Sequence, residues 1–250
     1  GKSIFLTNWT YHLVKAGFRV FVVTLEGYRN QFMFRLAARA LRTSYMNIKL
    51  NNLSDSQRVK LEEWKKICKD RIQFFHNATY GQYIEDFVPI LKEKKRSWPF
   101  DVLMLDYGQI MKTKKNYSEK RHEQSFVHQA LSALSGELDM LTVSVVQGTR
   151  QTQLDNADGK RLVRMNDVSE CFEIMRTAAT VLTINKSDRD VQNNLIRFLL
   201  EKQRDGITGK MEICKTDMQT LAMYGHEAEG LGFLDALQYA KENCEEIPDQ

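Results

Sequence analysis

Cysteine, proline and long apolar runs are what this sequence has little of. Its four cysteines, Cys68, Cys171, Cys214 and Cys244, lie at wide, irregular spacings with no CxxC pair. That excludes a disulfide scaffold and points to reduced thiols in a cytosolic-type compartment. Three prolines and 13 glycines in 250 residues exclude a collagen and favour regular secondary structure. No uncharged stretch approaches the ~20 residues that a bilayer span requires, so no membrane partner is expected. The opening GKSIFLTNW lacks the charged, apolar and cleavage regions of a signal peptide. There is no internal repeat, no low-complexity stretch and no linker rich in Gly, Ser or Pro.

What is present is ordinary for a globular chain: 42% hydrophobic and 27% charged residues. At this length an α/β unit buries roughly 70–75% of its unfolded surface and needs no staples. The net charge of +4 hides an asymmetry. Residues 226–250 carry one base, Lys241, against seven acids. Taking these from the chain's 36 bases and 32 acids leaves 35 and 25, a net of +10 for residues 1–225. A basic body with an acidic tail favours a polyanionic partner. We therefore read one domain, residues 1–225, followed by an acidic tail, 226–250.

Periodicity supplies the fold class. A helical pattern over Ile4–Lys15 gives way to RVFVVTL (Arg19–Leu25), an apolar run suited to a strand buried on both faces of a parallel sheet. Further strand-like runs are Ile72–Phe75, Val102–Leu105, Leu141–Val146, Val181–Ile184 and Leu195–Leu200. Helical patterns cover Asn30–Leu41, Gln82–Arg96, Glu119–Asp139 and Asp167–Ala178, and another is opened by Ser54 with Gln57, a capping box. Alternation of this kind implies βαβ units and a mainly parallel sheet flanked by helices. Met211–Cys214 and Met218–Tyr224, split by Lys215-Thr216-Asp217, predict a closing β-hairpin.

In open parallel sheets ligands bind beyond the carboxyl ends of the strands. Three apolar runs end there in polar residues: RVFVVTL at Glu26, DVLML at Asp106 and LTVSVV at Gln147. A carboxylate at the end of an apolar strand is costly to bury and usually pairs, coordinates a metal or does chemistry. The chain opens Gly1-Lys2-Ser3, which matches the last three residues of the P-loop GxxxxGK[ST] and leads straight into a helical pattern. In that motif backbone amides at a helix N-terminus cradle phosphate, the Lys reaches the β/γ-phosphates and the hydroxyl ligates Mg²⁺.

Six boxes in order, across residues 1 to about 224, resemble the RecA-fold motor domain of DnaB-type replicative ring helicases, including phage versions. GKS resembles the end of its Walker A motif, which implies ATP binding by Gly1, Lys2 and Ser3. TLEG (Thr24–Gly27) resembles S-L-E-M, implying a catalytic role for Glu26. DYGQ (Asp106–Gln109) resembles the Walker B box D-Y-L-Q, giving Asp106 a Mg²⁺-linked role beside Ser3. VQGTR (Val146–Arg150) resembles S-Q-x-x-R and makes Gln147 a γ-phosphate sensor. EKQRDGITG (Glu201–Gly209) resembles K-Q-R-x-G-x-x-G, whose Lys and Arg, here Lys202 and Arg204, act on a neighbour's ATP. NDVSECFEI (Asn166–Ile174) aligns with S-D-L-R-E-S-G-x-I, a DNA-contacting element. In it Glu170 is retained, Ser169 replaces the family's arginine and Phe172 its glycine, while Arg164, Arg161 and Lys160 lie just upstream.

The resemblance implies a RecA-like P-loop NTPase core, ATP and Mg²⁺ as cofactors, and a ring of like subunits, expected as a hexamer, around single-stranded DNA. It also implies primase or a helicase loader as partner, in the cytoplasm of a bacterial or phage-infected cell. Taken singly each residue has a blander reading: Glu26 as a solvated strand-end acid, Asp106 as a turn cap, Gln147 satisfying backbone, Lys202 and Arg204 as a charged edge. The run Lys112, Lys114, Lys115, Lys120 and Arg121 lies in a polar loop that could face a channel. Lys92, Lys94, Lys95 and Arg96 suit a helix C-terminus. The departures at Ser169 and Phe172 favour a rival reading: an assembly module that keeps the fold and binds ATP or DNA without turnover. A recombinase-like RecA relative is disfavoured by the K-Q-R-x-G element.

Overall fold

The computed structural model describes residues 2–25, 27–75, 81–167 and 172–225. They form two compact units, one within residues 2–146 together with 219–221, the other within residues 147–218 together with 222–225.

The first unit runs α1 (Lys2–Lys15), β1 (Val20–Thr24), α2 (Arg29–Leu41), α3 (Tyr45–Lys49), α4 (Asp55–Arg71), β2 (Ile72–Phe74), α5 (Ile84–Ser97), β3 (Val102–Asp106), α6 (Lys120–Glu137) and β4 (Leu141–Ser144). The capping box at α4 is formed as expected, with Ser54 and Gln57 each bonding the other's backbone N–H. All four strands are parallel, in the order β2-β1-β3-β4. Because side chains alternate across a strand, the continuous apolar runs supply two cores. Val20, Val22, Val102 and Met104 face α1, α2 and α4 through Leu6, Phe32, Leu36 and Trp64. Phe21, Val23, Leu103 and Leu105 face α5 and α6 through Phe87, Leu91, Val127 and Leu131. This two-sided burial is why β1 and β3 read as unbroken hydrophobic stretches. The connection from β1 leads outward to β2, and the chain then returns to lay β3 on the other side of β1. The switch point therefore lies between β1 and β3, and in sheets of this kind ligands bind beyond the carboxyl ends of the strands there.

The second unit runs α7 (Arg150–Ala157), α8 (Phe172–Thr177), β5 (Thr180–Asn185), α9 (Asp188–Gln192), β6 (Leu195–Gln203), β7 (Met211–Asp217) and β8 (Ala222–Tyr224). Its sheet, ordered β5-β6-β7-β8, is antiparallel throughout. The α/β class with helices on both faces of a parallel sheet is as expected, but Val181–Ile184 and Leu195–Leu200 do not extend that sheet. Only residues 186–194 separate β5 from β6, too few for a parallel crossover. The closing hairpin is present with a different turn. Lys215-Thr216-Asp217 continue β7, paired with Ala222–Tyr224, and the chain reverses over residues 218–221. The pairing of β4 also ends at Ser144 rather than Val146. Among the described residues no helix is long and apolar enough to cross a membrane.

Two buried polar groups fix the parts of the first unit that matter below. Asn8 on α1 donates to Ile4 O at 2.9 Å and Leu221 O at 2.8 Å, and accepts from Arg39 Nε of α2 at 2.9 Å. His128 on α6 is buried, its Nδ1 bonded to Gln124 O at 2.9 Å, while Nε2 has no partner among the described residues. Burial holds its pKa below the ordinary 6.5, against a smaller opposing pull from that backbone bond. The folded protein thus refuses a proton that the unfolded chain accepts, so stability is full above pH ~6.5 and is lost as the pH falls below it. His12 is shifted the same way, by burial and then by Arg39. Thermal melts from pH 7.5 down to 5 should show a falling Tm, and His128→Asn should make that fall shallower. Parallel curves for the two proteins would contradict this placement.

Candidate functional site

Alternation along β3 decides where Asp106 points. It is two residues beyond Met104 and so belongs to the face that α1 covers. Thr24 pairs with Asp106 across the ladder, and Leu25 N–H donates to Asp106 O at 2.8 Å, closing the ends of β1 and β3 together. At 8% exposure the Asp106 carboxylate needs a partner. Ser3, in the first turn of α1, supplies one: Ser3 Oγ donates to Asp106 Oδ2 at 2.8 Å. Lys2 Nζ stands 4.5 Å from the centroid of the Tyr107 ring, at the same helix end. That first turn carries no acid, so no side chain of its own offsets the positive end of the helix dipole. Three of the residues expected at a phosphate site, Lys2, Ser3 and Asp106, are thereby brought together by α1 and β3.

The donor set is hard oxygen, one hydroxyl and one carboxylate. Among the described residues no cluster of three His, Cys, Asp or Glu forms a cage for a metal ion. A sparse oxygen pair is instead what Mg²⁺ takes when water and nucleotide phosphates complete its shell. The residues therefore fit that ion.

Two residues beyond Asp106 lies a support that sequence reasoning missed. Gly108 N–H donates to Ser144 Oγ at 3.1 Å, tying the chain after Asp106 to the end of β4. A Cβ at Gly108 would stand 3.0 Å from both His128 Nε2 and Ser144 Oγ and 3.2 Å from Leu105 Cδ2. The signal was the glycine of DYGQ, where the resembling box carries leucine.

The other expected site residues fall elsewhere. Gly1, Glu26, Ser169 and Glu170 lie outside the described residues, as does the tail 226–250, and Phe172 is the first residue of α8. Gln147 is exposed, beyond the end of β4. In the second unit Lys202 Nζ donates to Met175 O at 3.1 Å and Arg176 O at 2.7 Å, the carbonyls at the end of α8. Burial, followed by the charges of Arg204 and Arg176, lowers its pKa. Arg204 is exposed, its N–H bonded to Ala179 O at 3.0 Å. Arg164 is ion-paired with Glu201 at 2.7 Å, and Arg161 with Asp167, also at 2.7 Å. The basic run is not all loop, since Lys120 and Arg121 lie in the first turn of α6. Lys114 pairs with Asp86 at 2.5 Å and Arg121 with Glu119 at 2.6 Å, and Lys115 Nζ lies 4.0 Å from the Phe126 ring centroid. At the end of α5, Lys95 donates to the carbonyls of Phe100 and Asp139, the structural use expected of that run.

A family model described as the DnaB-like helicase C-terminal domain matches residues 1–221. The chain is 23% identical over 210 residues to a probable plasmid replicative DNA helicase of Chlamydia psittaci, covering 82% of this chain and 45% of that protein. It is 24% identical over 220 residues to the replicative DNA helicase DnaB of Haemophilus influenzae, covering 85% and 46%. The chain thus spans less than half the length of either relative. Among solved structures, the ATPase domain of a phage helicase matches with a TM-score of 0.79 at 20% identity, over 91% of this chain and 81% of that one. A DnaB-like replicative helicase described with its interactions with primase matches with a TM-score of 0.78 at 20% identity, over 90% and 54%. At that identity the two structures speak for the fold, which is the RecA-like core that the resemblance implied.

Because a Cβ at Gly108, two residues beyond Asp106, would crowd His128, Ser144 and Leu105, Gly108→Ala should destabilise the protein by about 1–3 kcal/mol through overpacking and, by shifting the chain next to Asp106, weaken Mg²⁺-nucleotide binding. Gly148→Ala, whose added Cβ meets nothing within 4 Å, is the control. Equal melting temperatures for the two variants would contradict the packing described.

Proposed function

The chain belongs to the DnaB-like helicase C-terminal domain family, and on that premise we propose that residues 1–225 are an ATP-driven motor that moves along single-stranded DNA in a ring of like subunits. The observation that carries the reading is the Ser3–Asp106 hydrogen bond at the switch point of a parallel sheet. In this reading Gly1, Lys2 and the first amides of α1 take the phosphates of ATP. Ser3 and Asp106 would hold Mg²⁺, which supplies charge neutralisation at the β- and γ-phosphates. Glu26, two residues beyond Thr24 of β1, accepts a proton from the attacking water. As that water's oxygen bonds to the γ-phosphorus, the bond to the bridging oxygen breaks, and ADP and phosphate leave. Gln147 reads the presence of the γ-phosphate.

Lys202 and Arg204 would act on a neighbour's phosphates, the guanidinium because its planar fork pairs with two oxygens. An arginine supplied in trans is worth roughly 10³–10⁵ in turnover, so an isolated subunit should be nearly inactive. A basic body of net +10 suits contacts to the phosphates of the strand rather than to its bases, with Arg164 and the segment holding Ser169, Glu170 and Phe172 as the proposed contacts. Hexameric assembly, association with primase or a loader, and action in the cytoplasm of a bacterial or phage-infected cell complete the proposal. For primase, the structural relative described with it is the support.

The test uses the intact protein and two variants expected to be inactive alone, Glu26→Gln and Arg204→Ala. Mixed together, they create junctions that pair a sound Glu26 with a sound Arg204, and weak single-strand-stimulated ATPase activity should return. A dilute monomer that hydrolyses ATP normally, with Arg204→Ala harmless to it, contradicts action in trans. Absence of ATPase activity in the unaltered protein, with DNA binding retained, would favour the assembly-module reading suggested by Ser169 and Phe172.

A further inference from the structure

The end of β6 is irregular at one residue. Val181 pairs with Lys202 but Leu182 pairs with Leu200, so Glu201 is the extra residue of a β-bulge. Bulges re-aim a side chain that strict alternation would send to a fixed face. Here the re-aimed carboxylate is fully used: Oε1 accepts from Arg164 Nη1 at 2.7 Å and Oε2 from Met165 N–H at 3.0 Å. The next residue, Lys202, holds the Met175 and Arg176 carbonyls. Two consecutive residues of one strand therefore tie down both ends of a single stretch, Arg164–Met165 at its start and Met175–Arg176 at its finish. Two residues after Lys202 comes Arg204.

We propose that Glu201 is a positioning residue that couples DNA contact to nucleotide contact, by holding Arg164 in an ion pair on the same strand end that presents Lys202 and Arg204. This rests on the motor reading above, in which Arg164 meets DNA and Arg204 meets a neighbour's ATP. The physical basis is an asymmetry of exposure. The Arg164 side chain is 41% exposed while that of Glu201 is 11% exposed. When Arg164 swings to a DNA phosphate, it leaves a nearly buried carboxylate with one backbone donor, a costly state unless the carboxylate moves. Movement of Glu201 carries Lys202 and Arg204 with it. By linkage the effect runs both ways: phosphates drawing on Arg204 release Arg164, and DNA capturing Arg164 shifts Arg204.

Glu201→Gln in the intact protein tests this, because the amide keeps the shape and removes the charge that restrains Arg164. Hydrolysis without DNA should be unchanged. The increment produced by single-stranded DNA should fall by about fivefold or more, the lower range of a site-to-site coupling. DNA binding should persist and tighten, because capture of Arg164 no longer strands a nearly buried carboxylate. A merely structural Glu201 would lower both rates together and would not tighten DNA binding. Full DNA stimulation in Glu201→Gln, beside a stimulated wild type, overturns the proposal and leaves the motor reading standing. A wild type without DNA-stimulated hydrolysis overturns both. Should Glu201→Gln not fold, amide exchange in the unaltered protein decides. The Met165 N–H, bonded to Glu201, should exchange faster when single-stranded DNA and a non-hydrolysable ATP analogue are bound together, and unchanged exchange overturns the proposal.

Discussion

The hydrogen bond from Ser3 Oγ to Asp106 Oδ2, 2.8 Å long and spanning 103 positions of sequence, depends on nearly everything else in the first unit. It requires β1 and β3 to be parallel neighbours, so that their carboxyl ends finish together. It requires the alternation of β3 to send Asp106 toward α1 rather than α5. It also requires α1 to begin at those strand ends, a position that Asn8 and Arg39 secure through buried hydrogen bonds. A carboxylate this buried is expensive without a donor, and Ser3 is the donor beside it. The same two oxygens form the sparse set that a magnesium–nucleotide complex uses.

The chain just beyond Asp106 is held by β4 and α6. Ser144 accepts from Gly108, and a side chain at Gly108 would crowd His128 Nε2 and Ser144 Oγ, each 3.0 Å from its Cβ. A close-packed support of this kind transmits small displacements instead of absorbing them. The second unit solves a comparable problem on an antiparallel sheet. There a bulge frees Glu201 from strict alternation, and Glu201 and Lys202 divide the two ends of the stretch from Arg164 to Arg176 between them. The two units thus hold their functional candidates by different means, strand register in one and a local irregularity in the other.

Much of this was legible in the amino acids. RVFVVTL and DVLML announced β1 and β3 because burial on both faces removes polar positions, and Asp106 stood out because it ended such a run. Ser54 and Gln57 announced α4 because capping is local chemistry. The antiparallel sheet was hidden for a physical reason. In β5, Thr183 is buried while Leu182 is 40% exposed, so the period of two is masked by residue type. The short gap before Leu195 was the available clue. Helix α7 left no apolar period in the sequence because it buries Thr152 and Asn156 instead of hydrophobic residues. Glu201 and Ser144 could not be found locally, since their roles arise from a bulge and from a neighbouring strand. Glu26, which the sequence singles out at the end of β1, lies outside the described residues.

The central claim is that Ser3 and Asp106 together receive a magnesium-bound nucleotide. The direct measurement is the affinity of the intact protein for a fluorescent, non-hydrolysable ATP analogue, with and without Mg²⁺, compared with Asp106→Asn. The asparagine keeps the size and an acceptor for Ser3 but removes the charge that a divalent ion requires. The account predicts that Mg²⁺ tightens binding to the unaltered protein and that Asp106→Asn loses the tightening while still binding the analogue weakly through Lys2 and the amides of α1. Equal Mg²⁺ enhancement in both proteins would contradict it.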